Sequence, residues 1–249
     1  MGENMRLKGK TAVVTGAGSG FGAGIARKFA TEGAHVYVVD INAEAARTIA
    51  DEVGGEAITC DVADGKSVSN LAEIVLGTGP LDILVNNAGI THLPKPMEDV
   101  SEDDFDQVYR VNMKSVYLTA RAFVPHMKDR GTGAILNIAS TAGVSPRPRL
   151  NWYNASKGWM ITATKAMAVE LAPQGVRVNA LNPVAGETPL LKSFMGEDTP
   201  EMRAKFLATI PLGRFSQPED LANAALFLCS DEASMITGVA MEVDGGRCI

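Results

Sequence analysis

At 249 residues, with 46% hydrophobic and 21% charged side chains, the chain has globular composition and can bury a sizeable core. A net charge of −6 with no stripe of Lys and Arg argues against nucleic acid as a partner. No apolar run approaches the ~18 residues of a membrane span and Met1–Lys10 has no apolar leader segment, so the expected setting is cytoplasmic, with no membrane partner.

Thr11–Thr15 is the first apolar, β-branched run and reads as a buried strand. It leads into Thr15-Gly16-Ala17-Gly18-Ser19-Gly20-Phe21-Gly22, which opens directly onto the helical segment Gly22–Glu32. Glycine permits a sharp turn and a close approach of backbone to a pyrophosphate, while a helix N-terminus offers free N–H groups and partial positive charge. His35–Val39 is the second strand, and Asp40 closes it, followed by Ile41. A carboxylate at that place accepts hydrogen bonds from the adenosine ribose hydroxyls. A 2′-phosphate would meet like charge there, at an illustrative cost of about 4 kcal/mol for unit charges ~4 Å apart at an effective dielectric of ~20. Neither Ser19 nor Ile41 supplies a cation to offset it, so the expected cofactor is NAD rather than NADP.

Helical Ala43–Glu52, strand Ala57–Cys60, helical Lys66–Leu76 and strand Leu81–Val85 follow. A long helical period, Ser101–Lys128, contains Asn112, an amide with a polar group to satisfy. Gly133–Ile138 is a further strand, and Ser140 lies just past it, at the carboxyl edge where open α/β sheets bind ligands. Between Ser140 and the next helix, Pro146 and Pro148 stiffen the loop, and the guanidiniums of Arg147 and Arg149 suit a carboxylate, sulfonate or phosphate. Two readings follow: arginines facing solvent or a neighbouring subunit, or a site for an acidic hydroxy or oxo substrate, with Trp152 covering its apolar part.

Helical Tyr153–Ala172 opens on Tyr153-Asn154-Ala155-Ser156-Lys157, whose i, i+4 spacing sets phenol and ammonium on one face. The ammonium is expected to lower the phenol's pKa by ~1–3 units. Tyr153 can then exchange a proton with an alcohol or carbonyl oxygen that Ser140 also holds. Gly158, Ala163, Ala166 and Ala168 give this helix a small-residue surface suited to close packing. Strand Val176–Leu181, an irregular stretch Asn182–Asp198, helical Pro218–Cys229 and strand Val239–Val243 complete the chain. Such alternation predicts one doubly wound α/β domain over residues 1–249: a seven-stranded parallel sheet with helices on both faces. Cys60, Cys229 and Cys248 have no C-x-x-C spacing and His35, His92 and His126 no i, i+3 or i, i+4 pairing, so no disulfide framework and no metal are expected.

From end to end the chain resembles the short-chain dehydrogenase/reductase family. Thr15-Gly16-x-x-x-Gly20-x-Gly22 is similar to that family's cofactor turn, Asp61-Val62 to its adenine-side motif, and Asn86-Asn87-Ala88-Gly89 to the motif after its fourth strand. The resemblance implies a Rossmann fold and an alcohol–carbonyl oxidoreductase, with Ser140 and Tyr153 catalytic and Asn112 joined to Lys157 in a proton relay through water. It also implies that Pro183 and Thr188 hold the nicotinamide carboxamide, that residues 184–210 form a substrate lid, and that a four-helix contact builds a homotetramer. Val184 departs from the family's usual glycine and leaves the local backbone path open, because valine cannot easily adopt every conformation glycine can.

Among members, 3-oxoacyl-[acyl-carrier-protein] reductases are one alternative. They usually prefer NADPH, which Asp40 and Ser19 oppose, and dock their carrier through arginines, one at the position of Gln174. Catabolic alcohol and sugar dehydrogenases, including those acting on aryl-sulfonate aldehydes, resemble the stretch Asn182–Phe215. A non-catalytic NAD sensor on the same fold is a reading of another class. The intact set of Asn112, Ser140, Tyr153 and Lys157 argues against it, since a sensor needs only the glycine turn and Asp40.

Overall fold

The computed structural model describes residues 5–249; the first four positions of Met1–Lys10 lie outside the described residues. Its strands are β1 (Thr11–Thr15), β2 (His35–Asp40), β3 (Glu56–Thr59), β4 (Ile83–Asn86), β5 (Gly133–Ile138), β6 (Val176–Pro183) and β7 (Ala240–Val243). All pair in parallel, in the order β3-β2-β1-β4-β5-β6-β7. The order reverses beside β1, and open parallel sheets bind ligands in the crevice outside the carboxyl ends of their strands at such a point.

Strand periodicity divides the core. Ala12 and Val14 of β1, Val36 and Val38 of β2, and Ile83 and Val85 of β4 face one apolar layer, while Val13, Tyr37, Val39 and Leu84 face the other. The helices are α1 (Gly20–Thr31), α2 (Ala43–Val53), α3 (Gly65–Thr78), α4 (Glu102–Tyr109), α5 (Ser115–Arg130), α6 (Asn151–Leu171), α7 (Leu191–Met195), α8 (Pro200–Leu207) and α9 (Pro218–Cys229). Phe29 of α1, Ile49 of α2 and Leu226 of α9 fill the first layer; Leu71 of α3, Phe123 of α5 and Leu171 of α6 fill the second. Because both faces are covered, the strands are apolar runs rather than alternating ones.

Two segments differ from the sequence expectation. The single helix expected over Ser101–Lys128 is divided between α4 and α5 by a π-helical turn, Arg110–Lys114, which carries Asn112. The irregular stretch Asn182–Asp198 contains the end of β6 and all of α7, with α8 just beyond it. Val184, Leu191, Met195, Ile210 and Phe215 pack there into a small apolar core of their own. Among the described residues, no helix is long and apolar enough to cross a membrane, and no group of His, Cys, Asp and Glu is arranged to hold a metal.

Candidate active site

A cavity of about 580 Å³ opens where the strand order reverses. Its floor is the glycine turn. Gly16 and Gly20 both have left-handed backbone (φ +61° and +54°), which glycine adopts without penalty. Gly22 does not line the cavity; a Cβ there would stand 2.3 Å from the Gly16 carbonyl oxygen, so its place is set by packing. Ser19 is the N-cap of α1 and makes no side-chain cap bond, leaving the first-turn N–H groups to face the cavity.

Asn87, read as a cofactor contact, also clamps this turn. Its Nδ2 donates to the carbonyls of Thr15 at 2.8 Å and Gly16 at 3.0 Å. The Thr15 hydroxyl, overlooked in the sequence, accepts from the Asn87 and Ala88 amides and donates to the Val85 carbonyl. Asp40 lines the cavity and accepts from the Gly18 and Asn42 amides, both at 2.9 Å. It does not cap α2; Asn42 does, through the amides of Glu44 and Ala45. Each carboxylate oxygen retains a lone pair for a ribose hydroxyl. Ile41, Asp61, Val62, Ala88 and Gly89 line the same end.

The other end holds Ser140, Tyr153 and Lys157. Ser140 Oγ accepts from the Ala142 amide at 3.0 Å and lies within reach of the Tyr153 phenol. Lys157 Nζ donates to the Ile138 carbonyl at 2.8 Å and sits 5.9 Å from the Tyr153 ring centre. The expected lowering of the phenol's pKa is not what the site produces. Burial pushes Tyr153 up to about 12, opposed by Ser140, and pushes Lys157 down to about 8. Desolvation disfavours charge on both groups and is the largest cause of each shift.

Asn112 lies behind the cavity wall, fully buried. Its amide accepts from the Ile90 N–H and donates to the Ile90 carbonyl, both at 2.9 Å, and donates to Ser156 Oγ at 3.0 Å. A methyl on Gly89 would stand 3.4 Å from Lys157 Nζ and 3.5 Å from Asn112 Oδ1, so these two groups flank one spot. A buried polar chain keys the helix bearing Tyr153 to the sheet. Thr119 donates to Asn86, Asn86 to Asn137, and Asn137 to Thr164 of α6, at 2.8–2.9 Å.

Pro183 and Thr188 line the cavity, and Phe194 of α7 packs on the Tyr153 ring at 5.1 Å. Val184 needs no left-handed backbone; its N–H donates to the Val243 carbonyl, and its side chain anchors the local core. Arg147 reaches the cavity, whereas Arg149 and Trp152 do not. Arg149 has left-handed backbone (φ +68°) where the chain turns into α6, and its side chain is exposed. Trp152 packs edge-on against Phe105 and donates to the Met97 carbonyl. Phe194, Phe206 and Gln107 were not legible as lining residues, because no local motif marks them.

Residues 16–247 match the family model described as enoyl-(acyl carrier protein) reductase. A 4-formylbenzenesulfonate dehydrogenase of Comamonas testosteroni is 52% identical, over 98% of this chain and 100% of that protein. A 7α-hydroxysteroid dehydrogenase of Escherichia coli is 42% identical, over 98% and 96%. Among solved structures, a 3-ketoacyl-(acyl-carrier-protein) reductase from Brucella melitensis complexed with NADH superposes with a TM-score of 0.93 at 51% identity, covering 98% of this chain and 100% of that one.

Proposed function

We propose that this chain, which belongs to the short-chain dehydrogenase/reductase family, is an NAD(H)-dependent oxidoreductase that interconverts an alcohol and its carbonyl compound. The observation that carries this reading is one cavity lined by Asp40 at one end and by Ser140, Tyr153 and Lys157 at the other. The cofactor end fits NAD. Its charged lining residues are the carboxylates Asp40 and Asp61, while the two cations of the lining, Arg147 and Lys157, belong to the far end, so nothing there offsets a 2′-phosphate. The NADH-bound Brucella relative supports the same choice.

When bound, NAD supplies the hydride acceptor for oxidation, and its reduced form the donor. Tyr153 takes the proton from the alcohol oxygen and returns it during reduction. Ser140 donates a hydrogen bond to that oxygen and steadies its developing charge. Lys157, held by the Ile138 carbonyl, favours the phenolate, and Asn112 extends the polar path behind it. Pro183 and Thr188 bound the nicotinamide side, residues 184–210 act as the substrate lid, and the protein works in the cytoplasm as a homotetramer. A 3-oxoacyl thioester is a second reading, favoured by the name of the Brucella relative and opposed by Gln174 where carrier-docking members have arginine.

The test is turnover of a panel of alcohols, polyols and hydroxy acids with NAD, followed by NADH absorbance. Tyr153→Phe should retain NADH binding and lose about 100-fold or more in turnover. No turnover across the panel with either cofactor would remove the oxidoreductase reading, and near-normal turnover by the variant would remove Tyr153 from it.

A further inference from the structure

Two partly buried guanidiniums, those of Arg147 and Arg247, stand apart from the rest. The other partly buried arginines have an ion pair or several carbonyls: Arg6 pairs with Glu232, Arg203 with Glu187 and Asp198, and Arg177 donates to the carbonyls of Leu228, Ser230 and Ile236. Among the described residues neither Arg147 nor Arg247 forms an ion pair. Arg147 lies over the Phe206 ring at 4.2 Å, and its one side-chain contact with an oxygen, Thr209 Oγ1, is long at 3.4 Å. Arg247 donates to Ser145 Oγ at 3.0 Å, while its Nε is buried without any partner. Burial and the nearby charge of Arg247 together pull Arg147 down to about 10. Two like charges gathered in a partly dry place are costly unless an anion completes the group.

The position says which anion. Arg147 lines the same cavity as Ser140 and Tyr153, and the wall between them includes Leu150, Phe194 and Phe206. We infer that Arg147, backed by Arg247, forms an anion subsite at the far end of the substrate cavity. The preferred substrate then has an alcohol or carbonyl group at Tyr153, a ring-sized apolar body, and a carboxylate or sulfonate at Arg147. This rests on the dehydrogenase reading above. A guanidinium fork is suited to such oxygens, and the aromatic wall to such a body. The competing role for Arg147 is a clamp that holds α8 to the loop through Phe206 and Thr209; a clamp would serve charged and neutral substrates alike.

Three probes of matched shape separate these roles: 4-(hydroxymethyl)benzoate, 4-(hydroxymethyl)benzenesulfonate and the neutral 4-methylbenzyl alcohol. Two quantities are read for each, kcat/KM for oxidation with NAD and the Kd for the enzyme–NADH complex by calorimetry, where no turnover occurs. Wild type should favour at least one acid by about tenfold or more in both, the usual scale of a charge-assisted hydrogen bond. Arg147→Gln should bring that preference to about unity, Arg147→Lys should keep part of it, and Arg247→Gln should reduce it several-fold. Equal treatment of acid and neutral alcohol by wild type, or parallel losses for both in Arg147→Gln, would overturn the subsite. Should Arg147→Gln fail to fold, the ratio in Arg247→Gln decides. Turnover of all three without preference would sink the subsite and keep the dehydrogenase; Arg147-dependent binding of an acid with no turnover would do the reverse.

Discussion

Burial holds Tyr153 near 12 and Lys157 near 8, so at neutral pH the phenol keeps its proton and the ammonium its charge. Alcohol oxidation needs the phenolate, whose share grows about tenfold per pH unit below the phenol's pKa. kcat/KM for oxidation should therefore rise from about pH 6 towards about pH 8 and flatten as Lys157 discharges, while carbonyl reduction, which needs the protonated phenol, stays level. A pH-independent oxidation rate would discard Tyr153 as the base. Asp40 has two duties, facing the ribose site and accepting from the Gly18 and Asn42 amides. Asp40→Ser combined with Ile41→Arg should raise the NADP/NAD ratio of kcat/KM by removing a repulsion and adding a phosphate partner. NAD efficiency should fall as well, since one acceptor replaces two anchoring bonds. Equal use of both cofactors by wild type would refute the argument from Asp40.

At the scale of elements, the site depends on how α6 is held to β5. Asn137 links Asn86 on β4 to Thr164 on α6 inside a fully buried chain. Asn137→Leu would leave the Asn86 amide without its acceptor, at a cost of about 1–3 kcal/mol, measurable as a lower urea midpoint. An unchanged midpoint would show that the chain contributes nothing net. The π-turn at Arg110–Lys114 serves a similar end, because it sets Asn112 where both its amide groups meet the Ile90 backbone. A regular helix with the same residues would aim that side chain elsewhere, and such turns are frequent at functional sites.

For the whole molecule, the outer faces of α5 and α6 leave Tyr117 54% and Val169 81% exposed, with Trp159 also at the surface. Of the small residues on α6, Ala166 is exposed, Gly158 is half-buried against Gly143, and Ala168 belongs to the inner core. Light scattering should give a mass near four times the 26.3 kDa of one chain. A mass near that of one chain would refute the tetramer. If the mass is that of a tetramer, Val169→Glu should shift it downward by placing charge on this exposed face.

The seven strands, most of the helices between them, the glycine turn, the acid closing β2 and the Tyr153–Lys157 spacing were legible in the sequence. Each is a local property: periodicity, φ-tolerant residues, or two side chains one helical turn apart. Even the departure at Val184 resolved simply, since no left-handed backbone is required there. Other features depended on segments far apart in the chain. The apolar enclosure that reverses the expected shift of Tyr153 comes from Leu150 and Phe194 as well as the sheet. Arg147 and Arg149, equivalent in composition, part because one left-handed residue turns the chain and only Arg147 meets Phe206 of α8. Local sequence determined which chemical groups the protein carries; tertiary packing decided which of them share a dry cavity, because burial is a property of the assembled layers and not of any one segment.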